Sequence, residues 1–156
     1  MGTLTKVVVT GTVLVAVAVT LSLKNTQIAS VGGYPADFDP KAPAPEEPIP
    51  ASYENSAPGL PRLVALGAGR CIPCKAMAPI RIELRREYAG ALAVDFYDVW
   101  ADKEAGRHFE VWAIPTLIYY DAAGQELGRR EGFISKKDIL AALRSYGIDL
   151  NRTGNP

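Results

Sequence analysis

From Arg62 onward, apolar positions recur with two different periods. Leu63-Val64-Ala65-Leu66 is an unbroken apolar run, short enough to be a strand buried on both faces. Met77, Ile80, Leu84 and Tyr88 then follow at spacings of three, four and four, which predicts a helix over 71–88. Pro79 falls inside it and removes one internal hydrogen bond, so a kink is expected there; Gly90 suits the exit. A strand is expected over 93–99 and a short helix over 102–109. Two further strands, 116–120 and 126–131, flank Asp121-Ala122-Ala123-Gly124, the signature of a hairpin with a glycine-containing turn. Ser135-Lys136-Lys137-Asp138 resembles a capping box, and the helix it opens turns Ile139, Leu140, Leu143 and Tyr146 inward. This order of elements predicts an α/β domain: a central mixed sheet flanked by helices, over residues 62–150, with a tail at 151–156.

The pattern before Arg62 is different. Residues 7–23, from Val7 to Leu23, carry no charge and are rich in Val, Ala and Leu, with Lys6 before and Lys24 after. This length is at the lower edge for a membrane-spanning helix and slightly long for a signal-peptide core. Residues 1–30 are therefore expected to form an N-terminal hydrophobic helix, a signal-anchor that holds the chain in the membrane; a cleaved signal is the alternative. Residues 31–61 hold eight of the twelve prolines, which rules out a sustained helix or a central strand. They are expected to form an extended Pro-rich tether, with 51–56 able to form a short helix against the domain.

Charge adds little. Seventeen basic residues balance seventeen acidic ones, which argues against a nucleic-acid partner. The zero hides an acidic linker, with five acids and one lysine over 31–61, and a mildly basic domain.

The only two cysteines stand two residues apart in Cys71-Ile72-Pro73-Cys74, between the first strand and the first helix. That placement suits thiol–disulfide exchange. One thiolate forms a mixed disulfide, and the second must be close enough to displace the partner. At the helix start, Cys71 meets unpaired N–H groups and the positive end of the dipole, and both favour thiolate. Arg70 and Lys75 flank the motif and are candidates for tuning its thiol. Three other uses of the pair stay open: a zinc site, for which His108 is the only histidine available; a structural disulfide; and a copper or persulfide carrier.

Ile114-Pro115-Thr116 stands immediately before a predicted strand, where proline cannot donate to a ladder. Taken together, Cys71-Ile72-Pro73-Cys74-Lys75, Met77-Ala78-Pro79-Ile80, Ala113-Ile114-Pro115-Thr116 and Gly132 make the chain resemble the thioredoxin family over about 62–147. The resemblance implies a thioredoxin fold lacking much of the usual first strand. It implies that Cys71 is the nucleophile, Cys74 the resolving thiol and Pro115 a cis-proline beside them. It implies that Ile114 pairs its backbone with bound substrate, and that the redox-active disulfide is the only cofactor, with no metal.

The chain departs from the family pattern in three places. Arg70 replaces the tryptophan usual before the first cysteine. Ala65 and Phe96 occupy the positions of a buried aspartate and a nearby lysine, leaving Asp95 and Asp98 as the neighbouring acids in sequence. Trp112 is a candidate contact for partners, and Trp100 is expected to pack. Arg81, Arg85 and Arg86 are expected to form a solvated helix face with Glu83 and Glu87, and His108 to lie on a helix surface.

These readings converge on a protein-disulfide reductase in the cell membrane. Its domain is expected on the extracytoplasmic, periplasmic side, acting on client proteins with disulfides and drawing electrons from a membrane thiol-relay donor. Two rivals remain: an oxidase or isomerase of the same fold, and a non-catalytic adaptor.

Overall fold

Arg62–Gly67 forms strand β1, and each of its residues is buried. The reason is its place in the sheet. The computed structural model describes residues 33–150 and contains a four-stranded sheet of order β2-β1-β3-β4. Strand β2 is Ala93–Asp98, β3 is Thr116–Tyr120 and β4 is Glu126–Glu131. β1 pairs in parallel with β2 and antiparallel with β3, and β3 pairs antiparallel with β4. A strand with neighbours on both sides and helices on both faces has no polar face to present, so its sequence is a continuous apolar run rather than an alternation.

Helices α1 (Ile72–Glu87) and α3 (Lys136–Ser145) cover one face, and α2 (Lys103–His108) covers the other. The alternation of β1 sorts its side chains accordingly. Leu63 and Ala65 join Met77, Leu84, Leu117, Tyr119, Ile139 and Leu143 in the larger core. Val64 and Leu66 join Tyr97, Ala105, Phe109 and Ile118 in the smaller one.

The caps follow from local chemistry. Asp102 accepts from the backbone N–H groups of Glu104 and Ala105 and so starts α2. Ser135 accepts from the Asp138 N–H, while its own hydroxyl donates to the Asp138 carboxylate at 2.6 Å. The expected box is thus half realised, because the shorter Asp138 side chain meets the Ser135 hydroxyl instead of its backbone N–H. Helix α1 stays helical through Pro79 and ends at Tyr88, and Gly90 takes the positive φ of 79° that the exit needs.

Two expectations from the sequence are corrected here. Residues 51–56 form bends and no helix. The Pro-rich segment is also not a free tether: one folded unit begins at Asp37, not Arg62. Its irregular backbone is held by side-chain and carbonyl contacts. Lys75 donates to the Pro40 carbonyl, Tyr97 donates to the Ser52 carbonyl, Arg62 donates to the Tyr53 carbonyl, and Tyr53 donates to Asp102. Prolines forbid a ladder, but they leave carbonyls free to accept, and the segment is fastened in that way. The membrane-anchor expectation falls on residues 7–23, outside the described residues. Among the described residues, no helix is long and apolar enough to cross a membrane.

Candidate redox site

β1 ends at Gly67, at the C-terminal end of this interior strand, and the loop through Ala68, Gly69 and Arg70 turns the chain into α1. The loop is pinned on both sides. The Cys71 N–H donates to the Ala68 carbonyl at 3.1 Å, and the Gly69 N–H donates to Asp98 Oδ2 at 2.9 Å. Cys71 is the N-cap of α1, in an extended conformation, and its Sγ accepts from the Cys74 N–H at 3.4 Å. Pro73 lies in the first turn, where a missing N–H breaks no helical bond.

Cys71 and Cys74 form a disulfide with their Cα atoms 5.2 Å apart. The two sulfurs differ in access. Cys71 is partly exposed at the helix tip, whereas Cys74 is 1 % exposed. The burial of Cys74 comes from beneath: a Cβ added at Gly67 would lie 3.1 Å from Cys74 Sγ and equally close to Phe96 Cε2. Gly67 thus lets the resolving sulfur and the Phe96 ring settle directly on the strand.

Pro115 is buried and follows a cis Ile114–Pro115 bond. Because Leu66 pairs with Thr116, Pro115 sits one step beyond the end of the β1–β3 ladder, at the level where β1 enters the cysteine loop. Its carbonyl accepts from the Gly132 N–H at 2.8 Å. Four large apolar side chains are exposed among the described residues: Ile49 at 87 % in the Pro-rich segment, and Ile72 at 47 %, Trp100 at 53 % and Trp112 at 94 %. Arg70 lies over the Trp100 ring at 5.6 Å, and the Lys75 amine is tied to the Pro40 carbonyl; among the described residues neither flanking cation bonds to a sulfur.

Ala65 and Phe96 are register partners on β1 and β2, an entirely apolar pair. Neither nearby acid takes their place. Asp95 is bound to Arg62 and Ser56, and Asp98 accepts from Gly69, Trp100 and Ala101 in the loops. The surprise is Arg81. The expectation of a solvated arginine face holds for Arg86 but fails for Arg81, which is 2 % exposed. Arg81 stands four residues after Met77 and three before Leu84, inside the buried stripe of α1, and that periodicity was the available signal. Its partner is Glu47 of the Pro-rich segment. Glu83 and Glu87 pair instead with Lys136 of α3; that contact holds the Glu87 carboxyl below its usual range and raises the Lys136 amine.

His108 is exposed and stacks on Tyr53 at 4.8 Å, on the α2 side of the sheet. Among the described residues, no group of three or more His, Cys, Asp or Glu side chains is placed to hold a metal ion.

Comparison with known proteins agrees with this geometry. The family model described as thioredoxin matches residues 55–145. Thioredoxin from Mycobacterium bovis is 38 % identical over 91 residues, which cover 58 % of this chain and 78 % of the relative. Thioredoxin from Staphylococcus aureus is 31 % identical over 96 residues, covering 62 % and 91 %. A solved structure described as that of a malarial protein superposes with a TM-score of 0.52 at 21 % identity, over 56 % of this chain and 97 % of that one, a likeness of fold. The match, the four-stranded sheet and the paired cysteines at the tip of α1 lead to one conclusion: this chain belongs to the thioredoxin family and is a thiol–disulfide oxidoreductase whose redox centre is the Cys71–Cys74 disulfide.

Proposed function

We propose that the chain reduces disulfides in client proteins outside the cytoplasm, with Cys71 as the attacking thiolate and Cys74 as the resolving thiol. The observation that carries this reading is the unequal access of the two sulfurs, one at the helix tip and one sealed beneath it. The Cys71 thiolate attacks one sulfur of a client disulfide, and the client's other sulfur leaves as a thiolate. Cys74 gives up its proton and attacks the Cys71 sulfur of the mixed disulfide. The Cys71–Cys74 bond forms, the client departs with both thiols, and two electrons have passed to it. The Cys74 N–H that meets Cys71 Sγ at 3.4 Å also stabilises the thiolate, as does the helix dipole. Ile72, Trp112 and Trp100 offer the client an apolar rim, and the backbone of Ile114, next to Pro115, offers it a strand partner.

The location rests on residues 7–23, whose uncharged apolar run supports a membrane anchor with the domain on the far side. A membrane thiol relay is then the natural electron source, since tethering raises effective concentration. Carbonate extraction of the expressed chain tests the anchor; release of a shortened soluble form would replace it with a cleaved signal.

Direction is tested by the reduction potential. Ile72 and Pro73 bring no charge to the motif and Pro73 brings no N–H, so the thiolate is only moderately stabilised. We expect a value nearer about −270 mV than about −120 mV, with insulin reduced when dithiothreitol supplies electrons. A value above about −180 mV would make the protein an oxidase or isomerase. In the reduced protein, alkylation should label Cys71 first. The Cys74→Ser variant should accumulate a mixed disulfide through Cys71, and accumulation through Cys74 in Cys71→Ser instead would reverse the assignment.

A further inference from the structure

Glu47 and Arg81 form a buried ion pair that the exchange reaction does not use. Both side chains are 3 % exposed. Arg81 Nε donates to both carboxylate oxygens at 3.1 Å, and Nη2 donates to Oε1 as well. Arg85, itself partly open to water, adds a contact to Oε2 at 3.4 Å. The other end of the Arg81 guanidinium faces the redox centre. Its Nη1 donates to the Cys74 carbonyl at 3.4 Å, and its carbon stands 4.2 Å from the centroid of the Phe96 ring. Phe96 and Cys74 Sγ converge on Gly67. A permanently charged, buried guanidinium therefore touches both the carbonyl of the resolving cysteine and the ring that packs with its sulfur on Gly67.

We propose that Glu47 is a positioning residue that sets the redox balance of the site: by supplying the counter-charge of Arg81, the seated Pro-rich segment keeps the Cys71–Cys74 couple reducing. Guanidinium does not lose its proton in proteins, so its charge must be answered by a partner or by the nearest anion. In a poorly solvated setting that charge acts strongly. With Glu47 in place the pair is close to neutral. Without Glu47, the thiolate of the reduced centre becomes the nearest anion to benefit, and a stabilised thiolate favours the dithiol over the disulfide. Arg70 and Lys75 stand nearer the motif in sequence, but they are held by Trp100 and Pro40 at the surface and do not depend on Glu47.

This inference rests on the exchange reading above. The test is equilibration of the full-length chain with glutathione, comparing wild type, Glu47→Gln, Glu47→Asp and Arg81→Met, with folding followed by circular dichroism. Glu47→Gln keeps the volume and one acceptor, and should shift the equilibrium constant about tenfold toward the dithiol, equivalent to about 30 mV. Arg81→Met leaves the carboxylate with only the longer Arg85 contact and should shift it the opposite way. Glu47→Asp keeps the charge and should stay within about threefold of wild type. A purely structural clamp would move Glu47→Gln and Arg81→Met in the same direction, and that result, or an unchanged Glu47→Gln, overturns the inference. A wild-type protein that fails to exchange with glutathione at all overturns the exchange reading itself, and the inference with it.

Discussion

Arg62 and Asp95, on neighbouring strands β1 and β2, form an ion pair of 2.6 Å whose side chains are almost closed to water. The pair is the centre of a larger junction. Arg62 also donates to the Tyr53 carbonyl and the Tyr97 hydroxyl oxygen, and Asp95 accepts from the Ser56 hydroxyl. It joins the Pro-rich segment to the sheet. Replacing Asp95 with alanine leaves a buried cation with no counter-charge, and a loss of about 3–5 kcal/mol is expected. Urea unfolding measures it. A loss below about 1 kcal/mol would mean that Arg62 can turn to water without cost.

The contact between Tyr53 and Asp102 should make stability depend on pH at both ends of the scale. The Tyr53 hydroxyl donates to Asp102 at 2.7 Å. That bond holds the Asp102 carboxyl below its ordinary value and, together with burial, pushes the Tyr53 phenol up to about 12. The carboxylate's contribution is therefore present above about pH 4 and is lost as pH falls through its lowered folded value. The phenol's contribution is present below about pH 10 and is lost as pH rises toward 12. In Tyr53→Phe both slopes should flatten. Unfolding midpoints of wild type and variant at pH 3, 7 and 11 decide it, and parallel profiles would show that the contact carries no linkage.

Gly67→Ala should be costly and Gly69→Ala harmless. A Cβ at Gly67 meets Cys74 and Phe96 at 3.1 Å, tighter than side chains normally pack, whereas at Gly69 its nearest neighbour is Asp98 Oδ2 at 3.6 Å. Overpacking of this kind costs about 1–3 kcal/mol. It should also slow closure of the disulfide, because the added methyl presses on the resolving sulfur. Equal stability of the two variants by thermal unfolding would remove Gly67 from the account of Cys74 burial.

The fully buried Tyr119 has a hydroxyl with no hydrogen-bond partner among the described residues, and burial pushes its phenol up to about 12. Tyr119→Phe removes that unpaired group at little cost in volume. A gain of about 1 kcal/mol is expected in urea unfolding, and a loss would reveal a bond that the hydroxyl makes through solvent.

The elements of the domain were legible because each carries its own signal. The spacing of Met77, Ile80 and Leu84 found α1, the unbroken run at Leu63 found β1, and Asp121 with Gly124 found the hairpin turn. Cys71, Cys74 and Pro115 could be read as a group because their order along the chain resembles one family. What escaped was the packing of 37–61. Proline-rich sequence has no period to read, and its contacts are single side chains meeting across long separations, 34 residues for Glu47 and Arg81 and 49 for Tyr53 and Asp102. Arg81 was misplaced for the same cause: a charge in an apolar stripe looks solvated until its distant partner is known.

In the order β2-β1-β3-β4, β2 is an outer strand, with one side of its backbone unpaired in the sheet. Such a side is a template on which another chain can add a strand and begin aggregation. Here Pro48, Ile49, Pro50, Ser56, Ala57 and Leu60 line a groove beside Leu92–Asp95, and the Val94 carbonyl accepts from Arg85 Nε of α1 at 3.0 Å. Proline cannot pass the pattern on, because it has no N–H to offer a further strand. The prolines beside β2 therefore carry no N–H with which a further strand could continue the ladder, and the hydrogen-bond pattern of the sheet has no successor along this border.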